Sequence, residues 1–247
     1  MNDLKTKFAS RDALRGIWLS TGSHVAAELA AAAGFDWALL DMEHGVGDQT
    51  DIMRQIQVLT PTACAPLVRV PSANSDAVKW VLDCGAVGII APMIAGVAEA
   101  EAFARALRYP PDGTRGLTTA GRASRYGHDF KEYFANANRA VTGIVQIETA
   151  AAVADVEAIA AVPGVDVLFI GHSDLSLNLG CFGQHSHPAV VDAEAAVLAA
   201  CARHGKRAGM QLKAGMNAED YRRKGFSLLA LGIDIACLKQ GFESLLA

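Results

Sequence analysis

Two acidic residues, Glu148 and Asp174, each follow a short apolar run that is typical of a buried strand. Gln146 precedes Glu148 by two residues, so the period of a strand places both side chains on one face. A carboxylate on a buried face is costly unless it meets a cation or a hydrogen-bond network. A metal ion shared by Glu148 and Asp174 would satisfy both carboxylates, and the alternative is a salt bridge from Glu148 to Arg69.

The ligand types at this predicted site favour a hard cation. Two carboxylates, with the remaining positions open to water and substrate, suit Mg²⁺ or Mn²⁺. Catalytic zinc more often recruits several histidines or cysteines. We therefore expect a divalent metal, Mg²⁺ or Mn²⁺, and keep Co²⁺ and Zn²⁺ as alternatives.

His44 and Arg69 belong to two other strand ends, and both could act on an anionic substrate. The acidic neighbour Asp41 indicates that His44 is a base held in orientation, although a metal ligand and a hydrogen-bonded structural histidine are alternatives. The planar fork of Arg69 matches a carboxylate, which predicts a substrate bound through its carboxyl group. The alternative is an internal ion pair of Arg69 with Asp41 or Glu43.

The stretch 169–175, FIGHSDL, places Gly171 where backbone N–H groups can approach a ligand closely. The amides from Gly171 to Ser173 could hold a carboxylate. A Gly-x-x-Asp pattern is weak evidence by itself, because any strand-to-helix turn can look like it and Asp174 could simply cap a helix. The spacing alone does not name a substrate.

Eight short β-rich runs alternate with Ala-rich segments of helical period along the chain. This alternation predicts βαβ units, and eight of them close most naturally into a (β/α)8 TIM barrel, with a doubly wound open sheet as the alternative. In a barrel the polar strand ends meet at one rim. One helix is expected over 149–161. The strand-like runs are 16–20, 37–41, 66–70, 88–92, 143–148, 166–171, 207–211 and 227–232.

Two segments fall outside this alternation. Residues 1–16 are mixed in charge and predict a short amphipathic N-terminal helix. Residues 108–140 separate the fourth helix from the fifth strand, and connections of this length are usually functional or stabilised by a partner. A lid, a subunit interface and a solvated loop are the three interpretations of that segment.

The composition indicates one domain over residues 1–247, because 51% hydrophobic residues can bury a large core. The net charge of −4 and the dispersed basic residues predict no nucleic-acid or membrane partner. No apolar run approaches the roughly 18 residues that cross a bilayer.

The five cysteines lack a CxxC pair and are expected to be reduced. With no signal-peptide pattern at the N-terminus, we expect a cytoplasmic location.

The chain contains six motifs that resemble those of the HpcH/HpaI aldolase family and occur in the same order along the chain. Members of that family include 4-hydroxy-2-oxoheptanedioate aldolase and 2-dehydro-3-deoxyglucarate aldolase. The resemblance extends from GIWLSTGS near the start to GFSLLALGIDIACL near the end, so it is more specific than any single motif. The motifs are DMEHG (41–45), VRVP (68–71), GIIAPMI (88–94), YPPDGTRG (109–116), VQIET (145–149) and FIGHSDLS (169–176).

The resemblance implies a metal-dependent class II pyruvate aldolase on a (β/α)8 barrel. It also implies a homohexamer in which the C-terminal helix is exchanged between neighbouring subunits. By their positions in the motifs, Glu148 and Asp174 resemble the metal ligands of the family. Gln146, Gly171 and Ser173 resemble part of its pyruvate site.

The resemblance further implies that His44 is the catalytic base and that Arg69 holds the substrate. Asp83 matches an acidic residue that raises the basicity of that histidine in the family, although from the residues alone it is an ordinary helix-surface residue. Family members usually have proline where this chain has His172. That departure leaves Asp174 in place but could alter the shape or protonation of the pyruvate pocket.

In the implied reaction, the cation acts as a Lewis acid towards pyruvate, and the enolate adds reversibly to an aldehyde. Gln211 and its neighbours Met210 and Leu212 are expected to shape the aldehyde pocket. One alternative is a Schiff-base aldolase that uses Lys213. A lyase of CoA thioesters and a non-catalytic carboxylate-binding barrel are the other two.

Overall fold

The computed structural model describes residues 4–213 and 215–246. Its eight strands are parallel and paired in chain order, and the eighth pairs with the first to close the barrel. The predicted (β/α)8 architecture is confirmed. The strands are β1 Leu14–Leu19, β2 Trp37–Asp41, β3 Ala65–Arg69, β4 Gly88–Ala91, β5 Thr142–Ile147, β6 Val167–Ile170, β7 Arg207–Gln211 and β8 Phe226–Ile233.

Helices surround the barrel, and within the described ranges none is long and apolar enough to cross a membrane. The single helix predicted over 149–161 is wrong, because two short helices meet at Asp155. The Asp155 carboxylate accepts the N–H of Val97 at 2.7 Å, which ties this break to a neighbouring helix. The helices are α1 Leu4–Ser10, α2 His24–Ala32, α3 Gln49–Leu59, α4 Ser75–Cys84, α5 Val97–Ala106, α6 Phe130–Ala140, α7 Ala150–Ala154, α8 Val156–Ala161, α9 His172–Asn178, α10 Pro188–His204, α11 Ala218–Lys224 and α12 Asp234–Ser244.

The apolar side chains form an inner and an outer layer. The inner layer fills the barrel and includes Trp37 and Phe169. Leu4 and Phe8 of the predicted N-terminal helix close the end of the barrel at which the strands begin. The outer layer packs the strands against the helices and includes Val145 and Ile147, as the strand period predicts. Because the end at which the strands begin is filled, the barrel opens at the carboxyl ends of its strands.

The segment 108–140 contains more regular structure than a loop. It includes a 3-10 turn at Arg122–Ser124, and its residues from 130 to 140 form α6. Arg122 donates to the carbonyl of Cys84 at 2.8 Å and to the hydroxyl of Thr60 at 3.1 Å. Both acceptors precede strands, so the segment lies at the amino ends of β3 and β4. It therefore forms no lid over the mouth of its own barrel, and the interface interpretation stays a prediction.

The C-terminal helix α12 is attached at its first residue. The carboxylate of Asp234 accepts the N–H groups of Ser20 at 2.9 Å and Thr21 at 3.1 Å. Beyond that attachment, Leu238 and Phe242 are 48% and 65% exposed. Exchange of this helix between subunits stays a prediction, and these exposed apolar side chains support it.

Candidate active site

A cavity of about 290 Å³ opens at the carboxyl ends of the strands and contains most of the predicted site residues. A larger cavity of about 640 Å³ lies at the other end, beside Pro66 and Val141, and contains none of them. The chemistry is therefore concentrated in the smaller cavity. Its lining includes Trp18, Asp41, His44, Arg69, Gln146, Gly171, Ser173, Asp174, Gln211 and Lys213.

Arg69 makes internal ion pairs, which was the alternative to direct substrate binding. Its Nε and Nη2 donate to the two carboxylate oxygens of Asp41 at 2.9 and 2.7 Å. Its Nη1 lies 2.7 Å from Oε2 of Glu43. A guanidinium has five N–H groups, so two of them stay available to a ligand in the cavity.

Asp41 is the buried residue that organises this side of the mouth. Trp18 donates its indole N–H to Oδ2 of Asp41 at 3.1 Å, and the guanidinium of Arg69 stacks 4.7 Å from the centre of the Trp18 ring. Burial acts to raise the pKa of Asp41, but the hydrogen bonds and charge of Arg69 outweigh it, and the pKa is lowered. Asp41 is thus an ionised anchor for Arg69.

His44 lies on the rim, and its side chain is 69% exposed. The expectation that Asp41 orients its ring is wrong. Asp41 Oδ1 instead accepts the backbone N–H of His44 at 3.3 Å, while Nε2 of the ring lies 3.7 Å from Oε1 of Glu43. The backbone contact fixes the position of the residue, and the exposed ring is free to reach a substrate.

Glu148 is held at the end of β5 by two neutral donors. The backbone N–H of Met93 donates to its Oε1 at 2.6 Å, and Nε2 of Gln146 donates to its Oε2 at 2.8 Å. Burial raises the pKa of Glu148 to about 7, and the charges of Asp174 and Glu43 add to this despite the bond from Met93. The alternative to a cation, a salt bridge from Glu148 to Arg69, is not among the ion pairs of the described residues, although the charge of Arg69 acts on Glu148 from further away.

Gly171 lies directly against this carboxylate, because a Cβ at that position would overlap Oε2 of Glu148. The next residues, Ser173 and Asp174, are exposed in the first turn of α9. Asp174 is close enough to raise the pKa of Glu148 through its charge. The glycine therefore allows the β6 loop to bring a second carboxylate towards the first.

These residues fit a divalent cation. The mouth contains four carboxyl groups and two basic side chains, so acidic groups outnumber basic ones. Oε1 of Gln146 is buried beside Glu148 and has no hydrogen-bond partner in the described part of the chain. Within 4–213 and 215–246, no group of three or more His, Cys, Asp or Glu is placed to hold a metal ion, so a cation held by Glu148 and Asp174 would need water and substrate as its other ligands. The carboxylates are Asp41, Glu43, Glu148 and Asp174, and the cations are Arg69 and Lys213.

A profile of the HpcH/HpaI aldolase/citrate lyase family matches residues 14–240. The chain belongs to this family. A relative, the hydroxypyruvate/pyruvate aldolase of Paraburkholderia phytofirmans, is 40% identical over 240 residues, which are 95% of this chain and 92% of that protein. The predicted family is confirmed.

Two further comparisons agree with this membership. The 5-keto-4-deoxy-D-glucarate aldolase of Salmonella arizonae is 36% identical over 244 residues, which are 99% of this chain and 95% of that protein. A crystal structure of an HpcH/HpaI aldolase/citrate lyase family protein from Burkholderia cenocepacia superimposes with a TM-score of 0.93 at 38% identity, covering 100% of this chain and 98% of that one. The two curated relatives are carbon–carbon lyases by name.

Asp83 is the one predicted site residue that the structure places elsewhere. Its Oδ1 accepts from Nη2 of Arg115 at 2.7 Å. Helix α4 ends one residue later, and β4 begins at Gly88, so Asp83 lies at the amino ends of the strands. His44 lies at the carboxyl ends. Within one chain, Asp83 therefore does not reach His44, and the role implied for it by the family is not supported there.

His172, where the family usually has proline, belongs to the wall of the cavity, and its ring contacts Glu194 behind that wall. Its side chain is fully buried, and Nε2 lies 2.8 Å from Oε1 of Glu194 in α10. The other oxygen of Glu194 lies 3.5 Å from Nζ of Lys224 in α11. The ring also meets His185 edge-on, with the two centres 5.8 Å apart. His172 thus ties the β6 loop to two outer helices.

Loss of the Glu194 carboxylate is expected to destabilise the fold. The substitution Glu194→Leu leaves Nε2 of His172 without its partner, so we expect the free energy of unfolding to fall by about 1–3 kcal/mol. Urea unfolding measures it. Glu157, which lies 3.2 Å from His204 on the surface, provides the matched control, and Glu157→Leu should change stability little. Equal effects of the two substitutions would contradict this account of His172.

The metal-free protein is expected to lose stability as the pH rises from about 4.5 to about 7. The pKa of Glu148 is raised from its usual 4.5 to about 7 by burial, so in that range the folded protein holds a proton that the unfolded chain releases. Protonated Glu148 stabilises the fold at low pH, and this contribution is lost as the pH rises through 7. Urea midpoints of chelated wild type and Glu148→Gln measure it. Identical pH profiles of the two proteins would contradict the assignment.

Proposed function

We propose that this chain is a divalent-metal-dependent pyruvate aldolase, which reversibly cleaves a 4-hydroxy-2-oxo acid to pyruvate and an aldehyde. The observation that carries the proposal is the buried carboxyl group of Glu148, held by neutral donors beside Asp174 in a mouth where acidic groups outnumber basic ones. The names of the two curated relatives support the keto-acid substrate. The location in the cytoplasm and the homohexamer stay predictions.

The residues of the β5 and β6 ends would hold the cation and the keto acid. When bound, the cation supplies Lewis acidity to the keto acid. Glu148 and Asp174 would hold it, and the N–H of Met93 fixes Glu148 in position. The N–H groups of His172 and Ser173, in the first turn of α9, would bind the pyruvate carboxylate, because the N–H of Gly171 donates to the carbonyl of Ile147 at 3.3 Å. The free side-chain oxygen of Gln146 is an acceptor, so it would face the cation.

The residues of the β2 and β3 ends would handle the proton. His44 would take a proton from the methyl group of pyruvate, because its exposed ring lies on the rim of the cavity. In the cleavage direction it would take the proton of the 4-hydroxyl group. Arg69, held by Asp41 and Glu43, would direct its two remaining N–H groups to the charge that develops on the substrate.

Release of pyruvate tests the proposal. We expect the purified protein with Mg²⁺ or Mn²⁺ to cleave 5-keto-4-deoxy-D-glucarate or 4-hydroxy-2-oxoheptanedioate, and chelation to stop the reaction. Cleavage of an acyl-CoA substrate in place of both would favour a CoA-thioester lyase. Failure to cleave either keto acid with Mg²⁺, Mn²⁺, Co²⁺ or Zn²⁺ would contradict the proposal.

A Schiff-base aldolase is a second candidate, because Lys213 lies in the cavity and burial lowers its pKa. A lowered pKa leaves more of the amine unprotonated and able to attack a carbonyl. Borohydride reduction in the presence of pyruvate would trap that lysine covalently. The excess of carboxylates in the same cavity favours the metal-dependent reaction.

A further inference from the structure

The cavity contains two basic side chains, and they differ in how they are paired. Arg69 is neutralised by Asp41 and Glu43. Lys213, which follows β7, donates from Nζ to Oγ of Ser173 and to Oε1 of Gln211, each at 3.2 Å. Both acceptors are neutral, and no ion pair of Lys213 occurs in the described ranges. Lys213 therefore brings into the cavity a positive charge that no carboxylate of the described residues contacts directly, although the charge of Asp174 acts on it from further away.

The position of Lys213 is fixed by its own backbone. Its carbonyl accepts the N–H of Met216 at 3.0 Å, and its N–H donates to the sulfur of Met216 at 3.3 Å. An ammonium group has three donors, of which two are used, so one N–H is left for a ligand. Because both of its hydrogen-bond partners are neutral, this third N–H can donate to an anionic group of a ligand in the cavity.

The position of Lys213 in the barrel indicates that it contacts the second substrate. The proposed pyruvate position lies between the ends of β5 and β6, at Glu148 and the loop from Gly171 to Ser173. Gln211 is the last residue of β7 and Lys213 follows that strand, which lies one position further round the barrel. Lys213 contacts Ser173 at the edge of the proposed pyruvate position, so its free N–H and Gln211 would meet the part of a second substrate that extends from there towards β7.

We propose that Lys213, oriented by Gln211, binds a carboxylate carried by the aldehyde, so that the enzyme selects short anionic aldehydes over neutral ones. This inference rests on the proposed aldolase function. It gives the lysine a binding role and requires no covalent bond to the substrate. It also assigns recognition of the aldehyde's carboxylate to one side chain, so a single substitution can test it.

Aldehyde selectivity tests the subsite. Succinic semialdehyde and butanal have the same chain length and differ in the carboxylate. We expect Lys213→Met to lower kcat/KM for succinic semialdehyde about 10–100-fold more than for butanal, since a hydrogen bond to a charged group is lost. Lys213→Arg should restore part of the selectivity, and Lys131→Met, on α6 at the other end of the barrel, should not change it.

A binding measurement separates this subsite from the aldolase proposal. Calorimetry with Mg²⁺-loaded protein saturated with oxalate, which fills the pyruvate position, would follow succinic semialdehyde binding without turnover. We expect about tenfold weaker binding by Lys213→Met. Three results would each overturn the inference. They are equal binding of succinic semialdehyde by the variant, a raised KM for pyruvate alone, and a borohydride-trapped adduct on Lys213. Lysine-dependent binding by a protein that forms no aldol product would support the subsite and contradict the aldolase function.

Discussion

Replacing Glu148 with glutamine is expected to lower metal-dependent pyruvate release by about 10³-fold, because a lost Lewis acid forfeits several kcal/mol of transition-state stabilisation. Glutamine keeps an oxygen that can accept the N–H of Met93, so the fold of the β5 end should persist. Asp174→Asn should have a similar effect. Steady-state release of pyruvate at saturating Mg²⁺ measures both variants, and calorimetric titration with Mn²⁺ measures the lost affinity for metal.

Glu99 provides a matched control for this substitution. Its carboxylate also accepts a backbone N–H, that of Ala95 at 2.9 Å, but it is exposed and is not among the described residues that line the cavity. Glu99→Gln should therefore leave pyruvate release and Mn²⁺ binding unchanged. Full activity of Glu148→Gln after exhaustive chelation would show that the carboxylate holds no catalytic metal.

Replacing His44 with alanine is expected to slow the exchange of pyruvate methyl protons by about 10²–10⁴-fold, the usual contribution of a positioned general base. The affinity for pyruvate should change little, because the ring is exposed on the rim and the proposed carboxylate site lies on the β6 loop. Nuclear magnetic resonance in D₂O follows the exchange directly. Added imidazole should restore part of the rate.

His128 offers the control for that experiment, since it is an exposed histidine at the other end of the barrel. His128→Ala should exchange methyl protons at the wild-type rate. If His44→Ala also exchanged at that rate, another group would be the base. A loss of pyruvate affinity without a loss of exchange at saturation would instead make His44 a binding residue.

Much of the fold follows from the period of the sequence. Alternation along β5 predicts that Val145 and Ile147 face the helices and that Gln146 and Glu148 share the other face, and the structure agrees. The eight apolar runs predict the barrel because each strand is buried on both sides. The break at Asp155 was missed, since the helical period of 149–161 continues through it and only a tertiary contact to Val97 reveals it.

The candidate site was less predictable, because side-chain partners depend on distant parts of the chain. The fork of Arg69 suits a substrate carboxylate and an internal one equally well, and only the structure shows Asp41 and Glu43 within reach. Trp18 was missed because an apolar strand residue gives no sign that its indole N–H meets a buried carboxylate.

Met93 was missed for a different reason. Its contribution is a backbone N–H to Glu148, presented from a left-handed conformation with φ of 52°. Such a conformation is uncommon for a residue other than glycine and is typical of functional sites. The motif GIIAPMI at 88–94 was the only available signal, since Pro92 marks the turn that follows β4.

The exchange of pyruvate methyl protons with solvent, measured with metal added and removed, tests the central claim most directly. It needs no aldehyde, so it is independent of the second substrate. We expect the wild-type protein to exchange these protons with Mg²⁺ or Mn²⁺ present, to stop after chelation and to recover when metal is returned. Undiminished exchange after exhaustive chelation, with Lys213 trapped by borohydride and pyruvate, would contradict a metal site at Glu148 and Asp174.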